Sequence, residues 1–322
     1  MARILTGVQS TGIPHLGNII GAIIPAIKMA EDEMNESFLF IADLHSITQI
    51  KDCDELSEHT FATAATWLAC GLNPEKTIFF RQSAVAQVTE LAWFLSCFFP
   101  YQRLKLAHSF KDKSDHLGDV NCGLFTYPML MASDILIYNA EFVPVGKDQL
   151  QHIEITRDVA SRFNHQFGET FVLPKPKIEE NTQYVTGTDG EKMSKSKNNT
   201  INIFLQEKKL RSQIMSIKTD SKSIDEPKNP DQCNLFKLFS ILGNKNQIDV
   251  LRQKYLNGGV GYGDTKQELF ELILEKFKTE RTKFKYYNEN PREVELALEK
   301  GANKASKIAD EVLLKVRSKL GF

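Results

Sequence analysis

An alternation in the first half of the chain constrains the fold most. Short apolar runs with β character are separated by stretches of helical periodicity. Residues 3–8, 37–42, 77–81 and 141–145 read as strands, and 18–30, 56–70, 88–98 and 148–163 read as helices. Apolar strands parted by helices of this length form βαβ units around a parallel sheet. Such a sheet binds its ligands at the carboxyl ends of its strands. The alternation stops near Lys192. Beyond it lie helical patterns at 205–217, 234–242, 247–256, 265–287 and 292–320, with a polar loop carrying Pro227 and Pro230 over 218–231. The fold class expected is α/β: a parallel-sheet domain over residues 1–186, then a smaller all-helical domain over 187–322. The final helix, about 292–322, is placed to pack back on the first domain.

Charge follows the same division. The 322 residues hold 40 Lys+Arg and 41 Asp+Glu, a net charge of -1, which taken whole argues against a nucleic-acid partner. Residues 1–186 hold 14 Lys+Arg against 22 Asp+Glu, a net of −8, and the remainder carries 26 against 19, a net of +7. The total is a cancellation, and the second half keeps the excess that phosphate contacts need. Other classes fall away more simply. A hydrophobic share of 42% and a charged share of 25% describe a globular chain. No apolar run is long enough to span a bilayer, and the first seven residues lack the apolar core of a secretory signal. Cys53, Cys70, Cys97, Cys122 and Cys233 show no metal-ligand spacing, so free thiols in a reducing cytoplasm are expected, with no protein-held metal.

Two clusters carry chemistry. Gly7-Val8-Gln9-Ser10-Thr11-Gly12-Ile13-Pro14-His15-Leu16-Gly17-Asn18 leaves the first strand and opens the first helix. Its glycines allow close backbone approach, and a helix start offers N–H groups to an anion. An ordinary strand-to-helix turn is the other reading of the same residues. Lys192-Met193-Ser194-Lys195-Ser196 sets two lysines and two hydroxyls in a polar loop, a clamp for a polyphosphate when it is more than a solvated loop.

Together these clusters resemble the two signatures of the class I aminoacyl-tRNA synthetases. His15-Leu16-Gly17-Asn18 is similar to the HIGH motif, with Asn last, and residues 192–196 read KMSKS letter for letter. Within that class the chain looks most like the bacterial tryptophanyl branch, along its whole length. The likeness rests on Gly7-Val8-Gln9, on Asp43-Leu44-His45-Ser46-Ile47-Thr48, on Tyr127-Pro128-Met129-Leu130-Met131-Ala132-Ser133-Asp134-Ile135-Leu136 and on the stretch from Val143 to Asp158. A tyrosyl-type enzyme and a catalytically silent tRNA-binding paralogue are the alternatives.

The resemblance implies a Rossmann-like catalytic domain, a helical domain for the tRNA anticodon, ATP and Mg²⁺, and a homodimer. It implies activation of tryptophan by ATP, then transfer to tRNA(Trp). Lys192, Lys195, His15 and Asn18 match its catalytic residues. Around ATP it places Gln9, Ser10, Thr11, Gly17, Asn18, Gly146, Lys147, Asp148, Val185 and the whole of Lys192, Met193, Ser194, Lys195 and Ser196, with Lys113 or its neighbour Lys111 reaching phosphate. Asp134 matches the acceptor of the indole N–H. Met131, Val143 and Val145 shape the slot, Tyr127 and Gln149 hold the amino group, and His45 and Gln9 lie nearby. Trp93-Phe94-Leu95 with Phe98-Phe99 fits either a dimer interface or a core.

Overall fold

In a computed structural model the described residues are 1–105, 121–178 and 185–322. Lys111 and Lys113 lie outside them. Five strands form one parallel sheet, ordered β3-β2-β1-β4-β5. They are β1 (Ala2–Val8), β2 (Asn35–Ile41), β3 (Ile78–Arg81), β4 (Phe142–Val145) and β5 (Lys175–Ile178). The chain lays β2 and β3 to one side of β1, then β4 and β5 to the other. That reversal is the switch point at which α/β sheets hold ligands. β1 runs opposite β2 from Ala2↔Asn35 to Val8↔Ile41, but it meets β4 at one register position, Ile4↔Phe142. A crevice between the carboxyl ends of β1 and β4 follows.

β5 was not expected. Its four residues are exposed and include Pro176, which an edge strand tolerates because no further strand needs the missing N–H.

Side-chain alternation builds two cores. Phe38, Phe40 and Phe80 point to one face, under helices Gln87–Phe98, Cys122–Leu136 and Leu150–Phe167. Leu39, Ile41 and Phe79 point to the other, against Cys53–Ala69 and the helices of the second half. Those helices are Glu207–Met215, Asn234–Leu242, Lys245–Asn257, Tyr262–Lys276, Lys278–Glu289 and Pro291–Leu320. The single helix expected over 265–287 is two. Phe277 leaves helical geometry (φ −106°, ψ 21°) and buries its ring, so the apolar rhythm continues through the break.

The terminal helix Pro291–Leu320 crosses the sheet edge at β3. A Cβ at Gly301 would lie 1.8 Å from the Phe79 carbonyl oxygen, so only glycine permits this approach. Arg81 pairs with Glu295 across the contact, and Arg317 Nε meets Glu90 at 2.6 Å. The helix thereby covers an edge that would otherwise stand open. Among the described residues no helix is long and apolar enough to cross a membrane.

Candidate active site

Two cavities open at the carboxyl ends of the strands. The more polar one measures about 840 Å³ and has the turn after β1 on one wall and residues 192–196 on the other. The turn is fixed by a reciprocal cap: His15 Nδ1 accepts from Asn18 N–H at 3.2 Å, and Asn18 Oδ1 accepts from His15 N–H at 3.2 Å. The helix then runs Leu16–Asn18, a π-wound Ile19–Ile23 and Ile24–Ala30, which brings Gly21 and Ala22 to the cavity.

The helix start does not offer free amides, contrary to expectation. Leu16 N–H donates to Ile201 O at 2.8 Å, Gly17 N–H to Met193 Sδ at 3.4 Å, and Asn18 N–H to His15. Two of those acceptors lie in the 192–201 segment, so the amides tie the two motifs together. At the helix start, the groups left to meet an anion are side chains. With Nδ1 accepting, the ring proton of His15 sits on Nε2. Burial, with the nearby Lys195 charge, lowers His15 to about 4, so it is a neutral donor at pH 7. Lys195 folds over Gly12, whose φ of +137° suits glycine, and withdrawal from water lowers its ammonium to about 8.

Asn199 holds the loop. Its side chain accepts from Ser194 N–H at 2.8 Å and donates to Asp189 Oδ1 at 2.7 Å and to Lys192 O at 3.1 Å. Gly187 is pressed against it, and Asn234 Nδ2 moors the Gly187 carbonyl at 2.8 Å from the helical half.

The second cavity, about 420 Å³, is mostly apolar and lies between β1 and β4. Its wall includes Met131, Val143, Val145, Tyr127, Gln149 and His45, together with Asp134; Gln9 faces both cavities. Asp134 is 2% exposed. Its Oδ2 lies 2.9 Å from His45 Nε2, and Gln82 Nε2 donates to both its oxygens at 2.8 Å. Burial raises the Asp134 carboxyl above the usual carboxylate range, and the His45 and Gln82 hydrogen bonds offset only part of that rise.

The family model for class I tRNA synthetases (W and Y) matches residues 1–278. The chain belongs to that family. It is 46% identical to a tryptophan–tRNA ligase of Fusobacterium nucleatum, covering 100% of this chain and 98% of the relative. It is 43% identical to that of Campylobacter jejuni over 99% of this chain and 100% of the relative. The crystal structure of the C. jejuni tryptophanyl-tRNA synthetase complexed with ADP and tryptophan superposes with a TM-score of 0.95, at 43% identity, covering 99% of this chain and 100% of that one.

Not every expected residue of this family member reaches a cavity. Thr11, Gly17, Val185 and the KMSKS residues line the polar one. Ser10 does not: it is fully buried, its Oγ meets those of Ser46 (3.2 Å) and Thr60 (3.0 Å), and its N–H donates to Ser46. Ser10 is an internal brace of the turn. Gly146 lines the apolar cavity, while Lys147 and Asp148 are exposed beyond it. Sequence reasoning missed Gln82, His152 and Asn199. His152 lines the apolar cavity, with Nε2 2.6 Å from the Tyr127 hydroxyl. His152 follows Gln149, the residue that caps its helix, by three positions, which is the signal the sequence offered.

Proposed function

We propose that the chain joins tryptophan to tRNA(Trp). It activates L-tryptophan with ATP, releases pyrophosphate, and passes the tryptophanyl group to the tRNA 3′ end. The observation that carries the amino acid is Asp134, a buried carboxylate in a mostly apolar cavity. Indole has one polar hydrogen and no acceptor, so it asks for one such group. A side chain without that donor would leave the carboxylate unanswered, and a site built this way rejects it strongly.

The substrate carboxylate is already ionised at neutral pH. It attacks the α-phosphorus in line, a P–O bond to the leaving pyrophosphate breaks, and no general base is required. The protein's work is positioning and charge stabilisation. Lys192 and Lys195 meet the phosphates from the loop. His15, through Nε2–H, and the Asn18 amide donate from the fixed side. Gly146, on the wall of the apolar cavity, and the exposed Asp148 just beyond it suit the ribose. The donor set does not fit a resident Mg²⁺: the polar cavity offers cations, amides and hydroxyls, and among the described residues no group of three His, Cys, Asp or Glu side chains could hold a metal. An ion would arrive on the nucleotide's own phosphates.

The bridge between Thr186 and Lys192 crosses the division at 186/187, and it ties the phosphate loop of the helical, tRNA-facing half to the half that holds tryptophan. The +7 charge of that half supports the assignment. A second copy of the chain suits the face carrying Trp93, 69% exposed, and Tyr101, whereas Leu95 and Phe99 belong to the protomer's own core. Five free cysteines suit a reducing cytoplasm.

ATP–pyrophosphate exchange tests the reading, run with tryptophan, with tyrosine and with neither. Exchange dependent on tryptophan supports it. Exchange that prefers tyrosine, or none, overturns it.

A further inference from the structure

Behind the apolar cavity lies a residue that does not touch it. Gln82 opens the short turn Gln82–Ala84 directly after β3, is fully buried, and is absent from the cavity wall. Its amide is fixed at both ends. His45 N–H donates to Oε1 at 3.4 Å, and Nε2 reaches both Asp134 oxygens at 2.8 Å. A backbone N–H can only donate, so it sets which end of the amide faces Asp134. The turn is itself anchored. Asp43 Oδ1 accepts from Ser83 N–H at 2.9 Å and from Leu44 N–H at 3.0 Å, and the Ser83 hydroxyl donates to Oδ2. One amide thus joins the end of β3, the Asp43–Ser46 helix and the Cys122–Leu136 helix.

We propose that Gln82 is a positioning residue for amino-acid selection: it holds Asp134 as an oriented anionic acceptor for the substrate's indole N–H. The inference rests on the reading of Asp134 as that acceptor. The chemistry of the pair supports it. A carboxyl buried among apolar side chains favours its protonated form, which carries a donor hydrogen where the indole needs an acceptor. A charged partner at position 82 would keep Asp134 ionised but neutralise the charge that draws the indole N–H. A neutral amide avoids both outcomes. Of the roughly four acceptor positions on a carboxylate, Gln82 and His45 take three, leaving one for the substrate.

The test compares kcat/KM in ATP–pyrophosphate exchange for L-tryptophan and for β-(benzo[b]thiophen-3-yl)-L-alanine, which replaces the indole N–H with sulfur in a similar shape. Wild type, Asp134→Asn, Gln82→Met and the near-isosteric Gln82→Glu are measured. Both substrates are read on one preparation, so loss of folded enzyme cancels in their ratio. In both Gln82 variants the tryptophan-to-analogue ratio should fall about tenfold or more, while KM for ATP stays put. A ratio within about twofold of wild type in either Gln82 variant overturns the proposal. If Asp134→Asn also leaves the ratio unchanged, or wild type does not discriminate, the Asp134 reading itself has failed. If only the Gln82 variants leave it unchanged, the failure belongs to Gln82 alone.

Discussion

The two cavities hold their polar groups in opposite ways. In the apolar cavity the buried carboxylate of Asp134 is gripped from two other elements, by His45 and by Gln82. In the polar cavity, among the described residues, no ion pair engages Lys192 or Lys195, although their neighbour Lys197 pairs with Glu191 at 3.7 Å. One cavity is pre-formed, with its buried carboxyl already held in place. The other keeps cations unpaired on a loop, to which the proposed reaction would bring phosphate. Such an arrangement separates selection of a side chain from stabilisation of a leaving group, and variants should respect the separation.

The largest effect should follow Lys195→Ala. Removing one preorganised charge at a developing anion costs roughly 100- to 1,000-fold in adenylate formation. Tryptophan affinity, read by fluorescence titration, should stay within about twofold, because Lys195 lines only the polar cavity. Equal losses in both would break the comparison. Asp134→Asn should do the reverse. It lowers kcat/KM for tryptophan by about 10- to 100-fold, the worth of one hydrogen bond to a charged group, and leaves KM for ATP alone.

The contrast was partly legible from sequence. β1 to β4 and the helix Asn234–Leu242 could be read because their apolar spacing is local. The motif residues could be read because their type and order are. β5 escaped because an exposed edge strand needs no apolar run, and the break at Phe277 escaped because no Gly or Pro marks it. At the site, the misses share one cause. Ser10 meets Ser46 and Thr60, Gln82 meets Asp134, and Leu16 N–H meets Ile201 O, each through contacts 36 to 185 residues apart. Residue type shows that a group can donate; only the fold shows whether it is already occupied.

Asn199→Ala sharpens the comparison at a smaller scale. It frees Ser194 N–H, Lys192 O and Asp189 together, so the loop loses its preset shape while both lysines remain. Exchange should slow by about tenfold, with protease cleavage appearing between 187 and 199 and tryptophan affinity unchanged. A rate loss without new cleavage would mean that Asn199 acts on the nucleotide and not on the loop.

The smallest effect is a pH dependence. Withdrawal from water lowers Lys195 to about 8, so its charge is present below that pH and is lost as pH rises through it. ATP affinity should therefore weaken roughly threefold or more between about pH 7 and pH 9, because phosphate favours the charged form and the deprotonated enzyme must take up a proton to bind it. His15, lowered to about 4, stays neutral across this window and adds no slope of its own. Lys195→Arg keeps its charge at every pH in the range and should flatten the dependence. Titrations of ATP binding that slope equally in wild type and Lys195→Arg would place the titrating group elsewhere and remove the buried ammonium from the account of the polar cavity.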